Sequence, residues 1–243
     1  MKYTLIIMSL VFLLRCNSED AWDCLQKEGQ PHRYEISVED EFKNVKIFDD
    51  INIKLHESDE EAFFLETGSN LLPEIEVFLD TGSLHIVNYN ACKWTRKPEN
   101  VTLHVYTNRS LHYQMYGYGS FFTPDTVRHT FRVTSRGSGD ADIKLNNARF
   151  IFHMYSLMNL NLSGKTETFS CYIRPGEDGR VNATHLETDG VSIVHNGYND
   201  VLVSPEDRLR YEIHSSGNII LTQKPYEIIE VERTGTGKLI QNY

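Results

Sequence analysis

Four cysteines and two tryptophans in 243 residues are too few for a disulfide-dense scaffold, so whatever fold forms must rest on an apolar core. Basic residues are outnumbered, 24 Lys and Arg against 34 Asp and Glu, for a net charge of -10. That balance excludes the phosphate-neutralising surface that nucleic-acid binding needs, and it excludes attraction of the chain to anionic lipid by its own charge. No apolar run beyond residue 14 is long enough to cross a bilayer as a helix. The ten histidines include no His-Glu-x-x-His pair and no Cys/His pairing at ligand spacing, so no metal site is expected. There is no Gly-x-Ser-x-Gly elbow, phosphate loop or dinucleotide fingerprint, and hence no expected cofactor. Gly235-Thr236-Gly237-Lys238 lacks both the distal glycine and the following Ser/Thr of a phosphate loop, and reads as a turn. Asp140-Ala141-Asp142 lacks the glycine interval of a calcium-binding nonapeptide.

What is present begins at the N-terminus. Lys2 precedes an apolar stretch from Thr4 to Leu14 that fits an export-signal core. Arg15 and Cys16 follow, then the polar Asn17-Ser18-Glu19-Asp20. A cysteine directly after such a core reads as a lipoprotein processing site, with Cys16 as the lipidated residue, although Arg15 stands where a small residue is usual. The expected organisation is a signal and lipobox over 1–16, a polar tether over 17–33 and one β domain over 34–240. The protein is expected to be exported, and held at the outer membrane through the lipid alone.

From residue 111 the chain repeats. Segments starting at Leu111, Phe131, Phe150, Phe169, Val191 and Leu209 are spaced by 20, 19, 19, 22 and 18 residues. Their first position is large and apolar. The third carries Tyr113, Val133, Phe152, Cys171, Ile193 and Tyr211, and the thirteenth Thr123, Ile143, Leu162, Val181, Val203 and Leu221. Period-two alternation at both ends of each unit marks two short strands with one buried face, joined by glycine-rich turns. The tenth position holds Ser120, Asp140, Asn159, Asp178, Asp200 and Asn218. These short hydrogen-bonding side chains would form a ladder at one corner of a stacked coil. A unit this short cannot bury its own apolar face, but stacked units can. The fold class expected is therefore all-β: a single-domain β-solenoid with rungs of about 19 residues. An antiparallel meander would also give strands every ~10 residues, but it has no reason to repeat corner chemistry in register.

Residues 34–110 are strand-like but less regular. Val45–Phe48, Ile51–Leu55, Ala62–Glu66, Ile75–Leu79, Leu84–Asn88 and Val101–Tyr106 are candidate strands, read as the first rungs or a cap. Cys171 falls in the third, core-facing column and is expected to be a free, inert thiol. Cys24 and Cys92 lie outside the repeat, and in an oxidising compartment they are expected to pair as a disulfide.

Tyrosines suggest binding. Tyr116, Tyr118, Tyr155 and Tyr198 are candidates for one outward face that stacks on sugar rings or docks a protein. Acidic residues on neighbouring rungs (Asp140 with Asp142, Glu177 with Asp178, Asp200) raise a polysaccharide hydrolase or lyase as an alternative. Their corner positions already explain them, so no catalytic residue is assigned.

The block Cys16 to Cys24, the segment Glu66-Thr67-Gly68-Ser69-Asn70-Leu71-Leu72-Pro73 and the glycine-rich repeats together resemble the auto-transporter adhesin "head GIN domain" proteins of Bacteroidota, a family of unknown function. The resemblance covers about residues 20 to 240. It implies a right-handed β-helix-like fold, export and frequent lipoprotein anchoring, and brings no established activity. The function expected is a non-catalytic, adhesin-like module of the cell envelope with an unknown protein or glycan ligand and a capacity to form homo-oligomers. The alternatives are a pectinase-like β-helix enzyme and a structural scaffold of the envelope.

Overall fold

The computed structural model describes residues 28–91 and 101–243. The export-signal segment, Cys16, Cys24 and Cys92 lie outside the described residues. Seventeen strands join in one continuous sheet that winds into a β-solenoid. In chain order β1 is Pro31–Glu35, β2 Asn44–Phe48, β3 Asn52–Glu57, β4 Ala62–Gly68, β5 Ile75–Asp80, β6 Ser83–Asn88, β7 Val101–Thr107, β8 His112–Tyr116 and β9 Phe121–Phe122. They are followed by β10 Phe131–Ser135, β11 Asp140–Met154, β12 Asn159–Ile173, β13 Arg180–His195, β14 Val201–Ile213, β15 Ile219–Leu221, β16 Glu227–Arg233 and β17 Leu239–Gln241. A single 3-10 turn, Leu72–Glu74, leads into β5, and no α-helix occurs among the described residues.

Each rung has two legs, and each leg stacks in parallel on its copy in the next rung. Phe131 pairs with Phe150, Phe150 with Phe169, Phe169 with Val191 and Val191 with Leu209. Parallel pairing between successive units rules out the meander. The first-leg column contains β6, β2, β8, β10, the later halves of β11 to β14, and β16. The second-leg column contains β7, β3, β9, the earlier halves of β11 to β14, β15 and β17. Strands β11 to β14 are long because each runs through the second leg of one rung and into the first leg of the next.

Apolar residues at alternate positions of both legs face one another and close a single core. The first repeat position builds an aromatic stack: Phe131 to Phe150 at 4.9 Å and Phe150 to Phe169 at 6.0 Å between ring centroids. The third position is buried in every unit, and Cys171 sits there between Phe152 and Ile193 as a free thiol. Burial pushes that thiol up to about 12.

One unit departs from the register expected from spacing. The corner between Phe169 and the following second leg is two residues longer than its neighbours, so Asn159 pairs with Arg180, and Leu160 with Val181. Ala183, not Val181, therefore continues the column of Ile143, Leu162 and Val203. For the same reason Asp178 lies outside the corner column and Arg180 takes its place.

The N-terminal segment supplies both rungs and a cap, but not in chain order. β2 and β3 form the rung next to β8 and β9, while the later β6 and β7 stack beyond them. The far end is closed by antiparallel strands: β5 on β6, β4 on β7, and β1 on β4. β1 begins at Pro31, so the last residues of the stretch read as a tether belong to the sheet.

Candidate functional site

The corner column is a hydrogen-bonded structural ladder. The Ser120 backbone N–H donates to Asn52 Oδ1 (2.8 Å), and the Asp140 backbone N–H to Ser120 Oγ (3.1 Å). Asn159 Nδ2 donates to Asp140 Oδ1 (2.9 Å), and both the backbone N–H and Nδ2 of Asn218 donate to Asp200 Oδ1 (2.9 Å each). The Lys238 N–H caps the run on Asn218 Oδ1 (3.0 Å). One position along, Asn161 Nδ2 donates to Asp142 Oδ1 (2.8 Å). The carboxylates of Asp140, Asp142 and Asp200, three of those that suggested hydrolysis, thus accept hydrogen bonds between rungs. Asp178 takes part only through its backbone carbonyl, which accepts from Asn199 Nδ2.

The four tyrosines do not share one face. Tyr116 and Tyr155 lie on the outward side of the first-leg column and hold Arg136 between them. The Arg136 guanidinium carbon is 5.6 Å from the Tyr116 ring and 4.5 Å from the Tyr155 ring. Tyr116 also stacks on Phe48 at 4.7 Å, and Tyr155 lies 5.7 Å from Tyr172. Tyr118 and Tyr198 are exposed in corner turns instead. Those turns are four rungs apart, on the order of 19 Å at the usual strand spacing.

The middle rungs of the outward first-leg face carry arginines, against the sign of the whole chain. Arg132, Arg136, Arg149, Arg174 and Arg210 are all exposed there, and none is in a salt bridge among the described residues. Their effect is visible on neighbouring histidines. His112 is pushed down to about 4, first by burial and then by Arg132, His153 and Arg136. His153 is lowered by burial, Arg132 and Arg136. Both imidazoles are neutral at pH 7 and add no charge beside the arginines.

A groove of about 540 Å³ opens on this face between Arg149 and the pair Arg208 and Arg210. Ser170 and Ser192 line it, and Glu167, Asp189 and Asp207 form its rim at the bend between legs. Gly190 leaves the groove open, because a Cβ there would meet nothing nearer than Thr168 Cγ2 at 3.8 Å. From the groove, the outward side chains of β12 run Thr168, Ser170 and Tyr172, and Arg174 follows just past the end of the strand. The signal for this face was present in the sequence: arginines at even positions of the first legs, where the odd positions are apolar.

Two other polar clusters are structural in character. Near the N-terminal cap a relay runs from Asp125 to His56 Nδ1 (3.3 Å), from His56 Nε2 to His104 Nδ1 (3.2 Å) and from His104 Nε2 to Glu66 (3.0 Å), with Arg33 Nε on the same carboxylate (2.8 Å). It ties β1, β4, β7 and β3 to the loop after β9. Glu212, His214 and Glu232 lie close enough to share a cation, but they are partly or fully exposed, and His214 is already bonded to Thr234 (2.9 Å).

The family model described as "Putative auto-transporter adhesin, head GIN domain" matches residues 41–225. Three solved structures share the fold. A protein described as a putative adhesin from Bacteroides fragilis NCTC 9343 superposes with a TM-score of 0.70 at 14% identity, covering 87% of this chain and 97% of that one. One described as a putative lipid binding protein from Parabacteroides distasonis ATCC 8503 gives 0.59 at 16% identity, covering 88% and 97%. A further one from the same strain, described as a putative adhesin, gives 0.54 at 12% identity, again covering 88% and 97%. No curated protein matches the chain.

Proposed function

Because the chain belongs to the putative auto-transporter adhesin family with a head GIN domain, we propose that it is an exported, non-catalytic binding module, lipid-anchored at Cys16 and facing its ligand with the outward side of the first legs. The observation that carries this reading is the Tyr116–Arg136–Tyr155 arrangement, with Arg136 within 5.6 Å of both rings. Rings and guanidinium groups left facing water on a rigid sheet are recognition chemistry, since they stack and hydrogen-bond without having to be ordered first. The non-catalytic part is supported by the ladder: Asp140, Asp142 and Asp200 are each engaged by an asparagine of the adjoining rung. The apolar segment before Cys16 and the acidic residues after it support export and anchoring at the outer membrane, with a Cys24–Cys92 disulfide holding the N-terminal segment to the domain.

Surface capture of glycans and envelope proteins by the full chain, compared with its Arg136→Ala and Tyr155→Ala variants, tests the binding role. A ligand retained equally by both variants would move the site elsewhere. Mass analysis of the processed N-terminus tests the anchor, and a mature chain starting at any residue other than an acylated Cys16 would exclude it.

A further inference from the structure

The first-leg face restricts the chemistry of the ligand as well as its location. Five exposed arginines, none in a salt bridge among the described residues, are gathered on one face of a chain of net charge -10. Like charges held on one rigid sheet repel each other, and an anion docked there relieves that repulsion. At the outer end of the first legs Tyr116, Arg136, Tyr155 and Arg174 follow one another on successive rungs, so rings and charges alternate along the solenoid axis and the cations of this column recur every second rung, about 9.6 Å apart. A linear polymer of ring units bearing anionic groups has a matching pattern.

The groove distinguishes among polyanions. A DNA or polyphosphate backbone presents acceptors only and would need an all-donor wall. Here Arg210 continues the row of Ser170 and Ser192, and Glu167, Asp189 and Asp207 line the same groove together with Arg149. Carboxylates repel a densely charged strand, yet they accept hydrogen bonds from hydroxyl groups. A wall of mixed donors and acceptors therefore suits a ligand rich in hydroxyls that carries a carboxylate or sulfate at intervals. Arginine's planar fork is suited to that anionic group, and the tyrosine rings to the apolar faces of sugars.

We propose that the face formed by Arg149, Arg210, Tyr172, Arg174, Tyr155 and Arg136 binds a segment of acidic polysaccharide, with the groove at Gly190 holding one of its anionic sugars. This inference rests on the binding-module reading above, and it adds the class of ligand.

The full chain is titrated calorimetrically with polygalacturonate, with the same polymer fully methyl-esterified, with dextran sulfate and with polyphosphate. Binding is expected to at least one acidic polysaccharide, to fall by about tenfold or more for Arg149→Gln and Arg174→Gln, and to weaken as salt rises. Esterification should weaken polygalacturonate binding comparably where that polymer is the one bound. Gly190→Leu, whose Cβ would make only ordinary contacts at 3.8 Å or more, fills the groove and should abolish binding while the thermal midpoint is unchanged; Arg174→Lys, which keeps the charge, should retain part of the affinity. Polyphosphate bound as tightly as either polysaccharide, or no loss in Gly190→Leu, would overturn the proposal. So would failure of both acidic polymers to bind. If a neutral glycan or an envelope protein is then captured, and lost with Tyr155→Ala, the binding-module reading stands and only the ligand class fails. If nothing is captured by this face, both fail.

Discussion

Asn159 Nδ2 donates to Asp140 Oδ1 at 2.9 Å although the two residues are 19 apart in sequence, one rung above the other. The bond ties neighbouring turns of the coil at the corner where the chain bends and backbone groups would otherwise go unpaired. Asp140→Ala should cost about 0.5–1.5 kcal/mol of unfolding free energy, whereas Asp140→Asn, which keeps an acceptor oxygen, should cost less. Asp178→Ala should be near neutral, since Asp178 contributes only its carbonyl. Urea denaturation of the three variants checks the ranking, and an Asp178→Ala loss equal to that of Asp140→Ala would contradict the register.

That register was largely legible in the sequence, and its one failure is instructive. Leu111, Phe131, Phe150, Phe169, Val191 and Leu209 fall in a single column because a parallel coil requires each rung to return to the same place, so length and side chain repeat together. The corner from Arg174 to Gly179 carries two additional residues that bulge outward. Counting from Phe169 therefore falls two residues short of the ladder, and Arg180 occupies the place assigned to Asp178. The N-terminal strands were readable one by one from alternation, but their stacking order was not. Nothing local to Ser83–Asn88 says that it lies outside Asn44–Phe48, because that choice is made by the antiparallel strands that cap them. At the candidate face the rings of Tyr116 and Tyr155 stood out in the sequence. Arg136 between them did not, because a lone arginine beside a glycine turn is ordinary until the pairing brings both rings to it.

Cys171 should be chemically silent in the native state. It is buried in the third column, and its thiol is pushed up to about 12 by desolvation, so almost no thiolate exists at neutral pH. Alkylation followed by peptide mapping is expected to leave Cys171 unlabelled until denaturant unfolds the chain. Labelling at a rate independent of denaturant would show that the column opens locally.

The glycines of the repeat corners divide into two kinds that mutation should separate. A Cβ on Gly137 would lie 1.6 Å from the carbonyl oxygen of Gly117 on the rung below, because the two corners touch backbone to backbone. Gly137→Ala must push rungs apart and should cost about 1–3 kcal/mol. Gly190 has 3.8 Å of clearance, and Gly190→Ala should be neutral or stabilising by about 0.4–1 kcal/mol through the unfolded chain's lost freedom. Thermal melts of the two variants should therefore move in different directions from the parent. Equal destabilisation would mean that the second site is also tightly packed.

Acid should destabilise the protein through histidines held neutral by burial. His112, His129, His153 and His195 all have their proton affinity lowered, chiefly by desolvation, and His112 falls to about 4. In the unfolded chain the same imidazoles titrate near 6.5. Between those values the unfolded state binds more protons than the native state, so unfolding free energy falls as pH drops from about 6.5 towards 4. The Glu66 carboxyl, held low by Arg33, adds to the loss in the same direction as it protonates. The urea midpoint at pH 5 should thus lie below that at pH 7.5. His112→Gln should flatten the dependence, and Arg132→Ala should raise the His112 titration midpoint seen by NMR, because one of the cations holding it down is gone. A midpoint that is constant across this window would mean that these rings are protonated in the folded chain, against the burial that surrounds them.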